Sequence, residues 1–181
     1  MILAMKTSTF TLLHVLISLV GIGSGFVVMY GLVTARRLNR WTVLFLASTA
    51  ATSITGFLFP FEHVTPGMIV GVLSLIVLGI SVVARYNLQL KGIARPLSVV
   101  CASVALYFNV FVLVVQSFEK SPALRALAPT QKEPPFVIAQ LLVLAAFVLL
   151  TVIAVRGFRP DASPTESASG ASTRSKQKRA A

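Results

Sequence analysis

His14, Glu62, His63, Asn109, Gln116 and Gln140 are the side chains of this sequence best equipped to bind or move something, and they are few and far apart. An imidazole can hold a metal or haem iron, or pass a proton near neutral pH. A carboxamide offers two donors and an acceptor, and a carboxylate accepts or ligates. His14, Asn109, Gln116 and Gln140 each stand inside a long apolar run. Transfer of an unbonded amide to an apolar medium costs about 2–7 kcal/mol, so each needs a partner or a cavity. Other chemistries lack their residues. The sequence has no H-E-x-x-H, no P-loop and no Ser/His/Asp arrangement, and its one Asp is Asp161. Gly21 and Gly23 begin a dinucleotide pattern that fails where Phe26 replaces the third glycine. Cys101 is the single cysteine, which removes disulfides and Cys-based metal sites within one chain.

The elements that must position these groups follow from composition. Of 181 residues, 56% are apolar and only 12% charged, with a mean hydropathy of +0.86. A soluble domain carries roughly a quarter charged residues, so this composition points to an all-α polytopic membrane protein. A bilayer core about 30 Å thick needs about 20 apolar helical residues, because lipid cannot satisfy an open backbone. Five stretches qualify: residues 10–33, 41–59, 67–84, 97–118 and 135–155, none containing Asp, Glu, Lys or Arg. Pro60 is expected to close the second, Pro66 and Pro96 to open the third and fourth, and Pro134 with Pro135 to open the fifth, as proline suits a first turn and not an interior. Trp41, Tyr86 and Phe118 fall near span ends, as interfacial aromatics do.

Net charge is +11, from 16 Lys and Arg against 5 Asp and Glu. The cations are scattered between apolar runs and in a tail, which argues against a nucleic-acid surface and for topology signals. Arg36, Arg37 and Arg40, then Arg85, Lys91 and Arg95, then the C-terminal residues share one side of a five-span bundle. That side is expected to be cytoplasmic, with the N-terminus out and the C-terminus in. The first stretch resembles a signal peptide at its start but continues to Val33 without a small-residue cleavage site, and reads as a retained span, cleavage being the alternative. Residues 1–159 thus form a transmembrane domain. Residues 160–181 read as a disordered cytoplasmic tail, whose Arg174, Lys176, Lys178 and Arg179 could meet anionic lipid head groups or simply stay solvated.

Membrane helices associate through small residues and polar contacts. Gly21 and Gly25 in the first span and Gly67 and Gly71 in the third supply packing faces, Ser48, Thr52, Thr55 and Gly56 a stripe on the second. With a rise of 1.5 Å per residue, His14, Gln116 and Gln140 come within about two turns of the outer surface, where Glu62 and His63 occupy a short turn. Two readings follow. One is interhelical hydrogen bonding; the other is an outward-facing polar pocket lined by His14, Gln116 and Gln140, lidded by Glu62 and His63 and floored by Asn109. Two histidines at one depth could also hold haem, although no cofactor is the primary expectation. With no carboxylate in any span, a proton-coupled carrier lacks its central residue.

Residues 119–135 form the longest outer connection, starting as a short capped helix whose Leu124 and Leu127 can lie on the membrane surface, then extended through Pro129 to Pro135. Leu106-Tyr107-Phe108-Asn109-Val110-Phe111-Val112, Val115-Gln116, Pro122-Ala123-Leu124, Ala128-Pro129-Thr130-Gln131 and Glu133-Pro134-Pro135-Phe136 resemble a block in a family of small, uncharacterised multi-pass bacterial inner-membrane proteins. Thr55-Gly56-Phe57 with Pro60, and Ala84-Arg85-Tyr86, are similar to further parts of it. The resemblance implies a bacterial inner membrane and carries over no activity and no catalytic residue. Three functions stand open: a non-catalytic accessory or assembly subunit of a larger membrane complex, a small-molecule binder or permease, and a haem-holding redox protein.

Overall fold

The computed structural model describes residues 7–59 and 66–158. The chain forms α1 (Thr7–Val33), α2 (Asn39–Gly56), α3 (Pro66–Val82) continued by a π-helical turn (Val83–Asn87), α4 (Ala94–Lys120), a short α5 (Pro122–Leu127) and α6 (Pro134–Gly157), with no strand among the described residues. Among the described residues four segments are long and apolar enough to cross a membrane: Thr7–Val33, Gly67–Asn87, Ala94–Lys120 and Pro134–Gly157. These define an all-helical protein of the multi-pass membrane type.

α2 is not among the four. Its 18 residues begin with Asn39 and Arg40, carry Thr42, Ser48, Thr49, Thr52, Ser53 and Thr55, and stop at Gly56. The apolar Phe57, Leu58 and Phe59, expected inside the span, fall outside the helix, because the Phe57 and Leu58 amides bond back to Ile54 and Thr55 in tightened turns. A glycine, with its low helix propensity, ends the helix before Pro60 can. At the other boundaries proline behaves as expected. Pro134 and Pro135 occupy the first positions of α6, and Pro96 is third in α4, where an amide has no intrahelical acceptor.

α1 lies against α2, α4 and α6; α4 also meets α3 and α6, and α3 closes onto α2. Phe45, Val99 and Leu106 are almost wholly enclosed at the centre. Gly25 permits this approach, since a Cβ there would stand 2.9 Å from the Phe45 ring and closer still to the Leu106 side chain. Gly21 faces the hydroxyls of Ser48 and Thr49, each 3.3 Å from where its Cβ would be. Gly71 does the same for the Phe57 ring, and Gly67 is exposed at the head of α3.

Polar side chains within the helices mostly satisfy themselves. The hydroxyls of Ser24, Ser48, Ser103 and Thr151 donate to the carbonyls four residues earlier at 2.6–2.8 Å. A hydroxyl turned back on its own helix presents no open donor to an apolar surround. At the basic end, the Arg85 guanidinium donates to the Asn39 side-chain oxygen at 2.7 Å, and Arg95 donates to the Phe158 carbonyl, tying the end of α6 to the start of α4.

Candidate functional site

His14 lies on α1, half-buried, with Nδ1 2.8 Å from the Thr55 hydroxyl of α2. That hydroxyl also donates to the Ala51 carbonyl, so it receives its second hydrogen bond from the imidazole when Nδ1 carries the proton. The His14 ring stands edge-on to Phe59 at 5.3 Å, and Phe10 meets the Phe59 ring at 5.0 Å. Gly56 lies beside the imidazole, with its Cβ position 3.7 Å from Cε1. The histidine is held on three sides by packing and one hydrogen bond.

Asn109, near the middle of α4, donates from Nδ2 to the Thr49 hydroxyl at 2.9 Å. The polar stripe on α2 was expected through Ser48, Thr52 and Thr55; Thr49, fully enclosed beside it, takes the bond instead. Thr49 shares a helical face with Phe45, four residues away, and that spacing from the central aromatic is the sequence signal that identifies it. The Asn109 amide is 3.6 Å from where a Gly21 Cβ would be, which puts Gly21 and Asn109 level. His14 lies seven residues before Gly21, and Gln116 seven after Asn109. Because α1 and α4 are antiparallel in the expected topology, both come out about two turns beyond that level.

The matching of depths does not become convergence. Gln140 on α6 donates from Nε2 to the Phe111 carbonyl of α4 at 3.3 Å, and Gln116 is half-buried with no hydrogen bond to a described residue. Among the described residues no hydrogen bond joins any two of His14, Asn109, Gln116 and Gln140. Among the described residues two groups stay open: the Gln140 Oε1 and the Thr52 hydroxyl are buried without a hydrogen-bond partner there. Glu62 and His63, the expected lid, and Arg174, Lys176, Lys178 and Arg179 of the tail lie outside the described residues. Among the described residues no group of three His, Cys, Asp or Glu side chains is placed to share a metal ion.

α6 is attached along one narrow edge. Phe136 meets Phe118 edge-on at 5.3 Å, Gln140 reaches α4, Phe147 packs between Phe26 and Tyr107, and Ala154 is fully enclosed. Val143 and Leu150 fall on the same edge, giving the alternating three-and-four spacing of a coiled-coil seam. The preceding outer connection is folded onto itself. The Glu133 carboxylate accepts from the Thr130 amide and hydroxyl at 3.1 and 2.9 Å and from the Lys132 amide at 3.0 Å, while Gln131, with φ of 58°, donates to the Val115 carbonyl. Desolvation pushes the Glu133 carboxyl up, but the hydrogen bonds together outweigh it and hold it below the usual carboxylate range. Leu127, expected to lie on the membrane surface, is exposed, and Leu124 is half-buried.

No protein family, curated protein or solved structure matches the chain.

Proposed function

We propose that this chain is a non-catalytic integral membrane protein of five spans, N-terminus out and C-terminus in, that serves as an accessory or assembly subunit of a larger membrane complex. The resemblance in the α4–α6 region supports a bacterial inner membrane as its setting. The observation that carries the reading is the use made of the intramembrane polar groups. His14, Asn109 and Gln140 each bond a different position on another helix, and no hydrogen bond joins any two of them. A substrate site needs a few polar groups converging on one cavity, whereas interhelical bonds of this kind hold a bundle together. The segregation of charge supports the orientation. Arg36, Arg37, Arg40, Arg85, Lys91 and Arg95 lie at one end of the bundle, and Glu119 and Glu133 at the other.

The test is native mass spectrometry of the protein purified gently from its own host. A stoichiometric complex with a larger membrane protein is the expected result. A chain that carries a small molecule and no partner overturns the reading. The buried Thr52 hydroxyl and Gln140 Oε1, both without partners, support a second reading as a small-molecule binder. It requires ligand-dependent thermal stabilisation that is lost in Gln116→Ala.

A further inference from the structure

At the basic end, the chain between α3 and α4 takes a shape that hydrophobic sequence alone would not adopt. α3 leaves regular helix through the π-helical turn Val83–Asn87, with the Leu88 amide bonded to the Val83 carbonyl at 3.0 Å. Gln89 and Leu90 then follow with φ of 50° and 58°, a left-handed pair in which neither residue is glycine, and Gly92 has φ of 52°. Side chains at such angles are strained, and the strain persists only where the surroundings over-determine it. Here the Leu90 side chain is buried in the core and its amide bonds the Ala84 carbonyl at 3.1 Å. That anchor turns the neighbouring Gln89 and Lys91 outward and fixes the loop in place.

The product is an open depression of about 420 Å³ lined by Asn87, Leu88, Gln89, Lys91, Ile93 and Ala94. Its lining has two characters. Asn87, Gln89 and Lys91 bring hydrogen-bond donors and a positive charge, while Leu88 and Ile93 are large apolar side chains, Ile93 being 82% exposed. Two residues before Asn87, the Arg85 guanidinium donates to the neutral Asn39 oxygen. The described carboxylates, Glu119 and Glu133, are at the far end of the bundle. The cluster therefore has no counter-ion of its own among the described residues.

We propose that this depression binds the head group of an anionic phospholipid, with Lys91 and the amides of Asn87 and Gln89 on the phosphate and Leu88 and Ile93 against the start of the acyl chains. The apolar walls select the lipid over a free phosphate, which would gain nothing from them. The excess of positive charge selects an anionic over a zwitterionic head group, at about 1 kcal/mol for each cation near the surface. The site is independent of whether the protein serves a larger complex.

The full chain, purified in detergent, is titrated by native mass spectrometry with phosphatidylglycerol, phosphatidylcholine and inorganic phosphate. One phosphatidylglycerol should be retained in preference to phosphatidylcholine, and inorganic phosphate should not displace it. Lys91→Gln should weaken that retention roughly fivefold, Lys91→Arg should restore it, and Arg125→Gln, exposed on the short α5 at the opposite end, should leave it unchanged. Equal retention of the two lipids overturns the proposal, and so does a Lys91→Gln variant that binds as the parent does. Displacement by inorganic phosphate overturns the lipid as the source of the anion.

Discussion

α4 and α6 are apolar helices of 27 and 24 residues that pack against each other, yet 44% of the most apolar stretch of α4 is buried inside the protein and only 6% of that of α6. Hydrophobicity does not account for the difference, because lipid tails are as apolar as leucine and reward no helix for hiding a leucine. Size and polarity do. α4 turns Ser98, Ala102, Ser103, Ala105 and Asn109 inward, letting α1 and α3 approach its backbone and the Thr49 side chain of α2 reach Asn109. α6 is ringed by Leu, Val and Ile and docks along the single edge of Phe136, Gln140, Val143, Phe147, Leu150 and Ala154, where polar Gln140 and small Ala154 break that ring. In such a bundle, the exceptions to hydrophobicity mark the interfaces.

The comparison breaks most readily at the glycine that admits the α4 core. Gly25→Leu forces a side chain into Phe45 and Leu106, and overpacking of that kind should cost about 1–3 kcal/mol, read as a lowered midpoint of thermal unfolding in detergent. A variant as stable as the parent would mean that close approach of α1 to α4 is not what organises the bundle. Asn109→Ala tests the polar contribution separately. Losing the bond to Thr49 should cost about 0.6 kcal/mol, the average for interhelical bonds in membrane proteins, and a double-mutant cycle with Thr49→Ala isolates it. The smallest effect belongs to the lipid-facing side of α6. Leu149→Ala, at a position 61% exposed, should change stability by less than about 0.5 kcal/mol, and a larger loss would show that this face is covered in the folded protein.

Hydropathy and proline placement made the helix order legible, because apolar runs of span length and first-turn prolines act locally. α2 shows where that reading stops. An apolar window running through Phe59 counts residues that the Gly56 terminus leaves outside the helix, and its six Ser and Thr residues lower what remains. The depth of the polar residues followed from helix rise, and the level pairing of Gly21 with Asn109 agrees with it. Their partners did not follow, because depth leaves rotation about the helix axis undetermined. Thr49 rather than Ser48 meets Asn109 through a difference of about 100° around α2, which only the packing of Phe45 decides. The docking edge of α6 was hidden for the same reason, as a helix apolar all round has no face that hydropathy can distinguish. The π-helical turn and the left-handed Gln89 and Leu90 had no signature beyond Gly92, since their shape depends on burying a leucine far from its helix.

The hydroxyls folded back onto their own helices have a consequence for how such a chain is made. A nascent helix leaving the insertion machinery meets lipid before it meets its neighbours. Each serine or threonine already bonded within its helix removes an obstacle to release at that moment. α1, α3, α4 and α6 are apolar enough to enter singly. α2 retains the Thr52 hydroxyl without a partner and a Thr49 hydroxyl that waits for an asparagine synthesised 60 residues later. In the five-span topology proposed here, it is the helix that must enter as a hairpin with α1, its most extensive neighbour, and remain incompletely satisfied until α4 emerges.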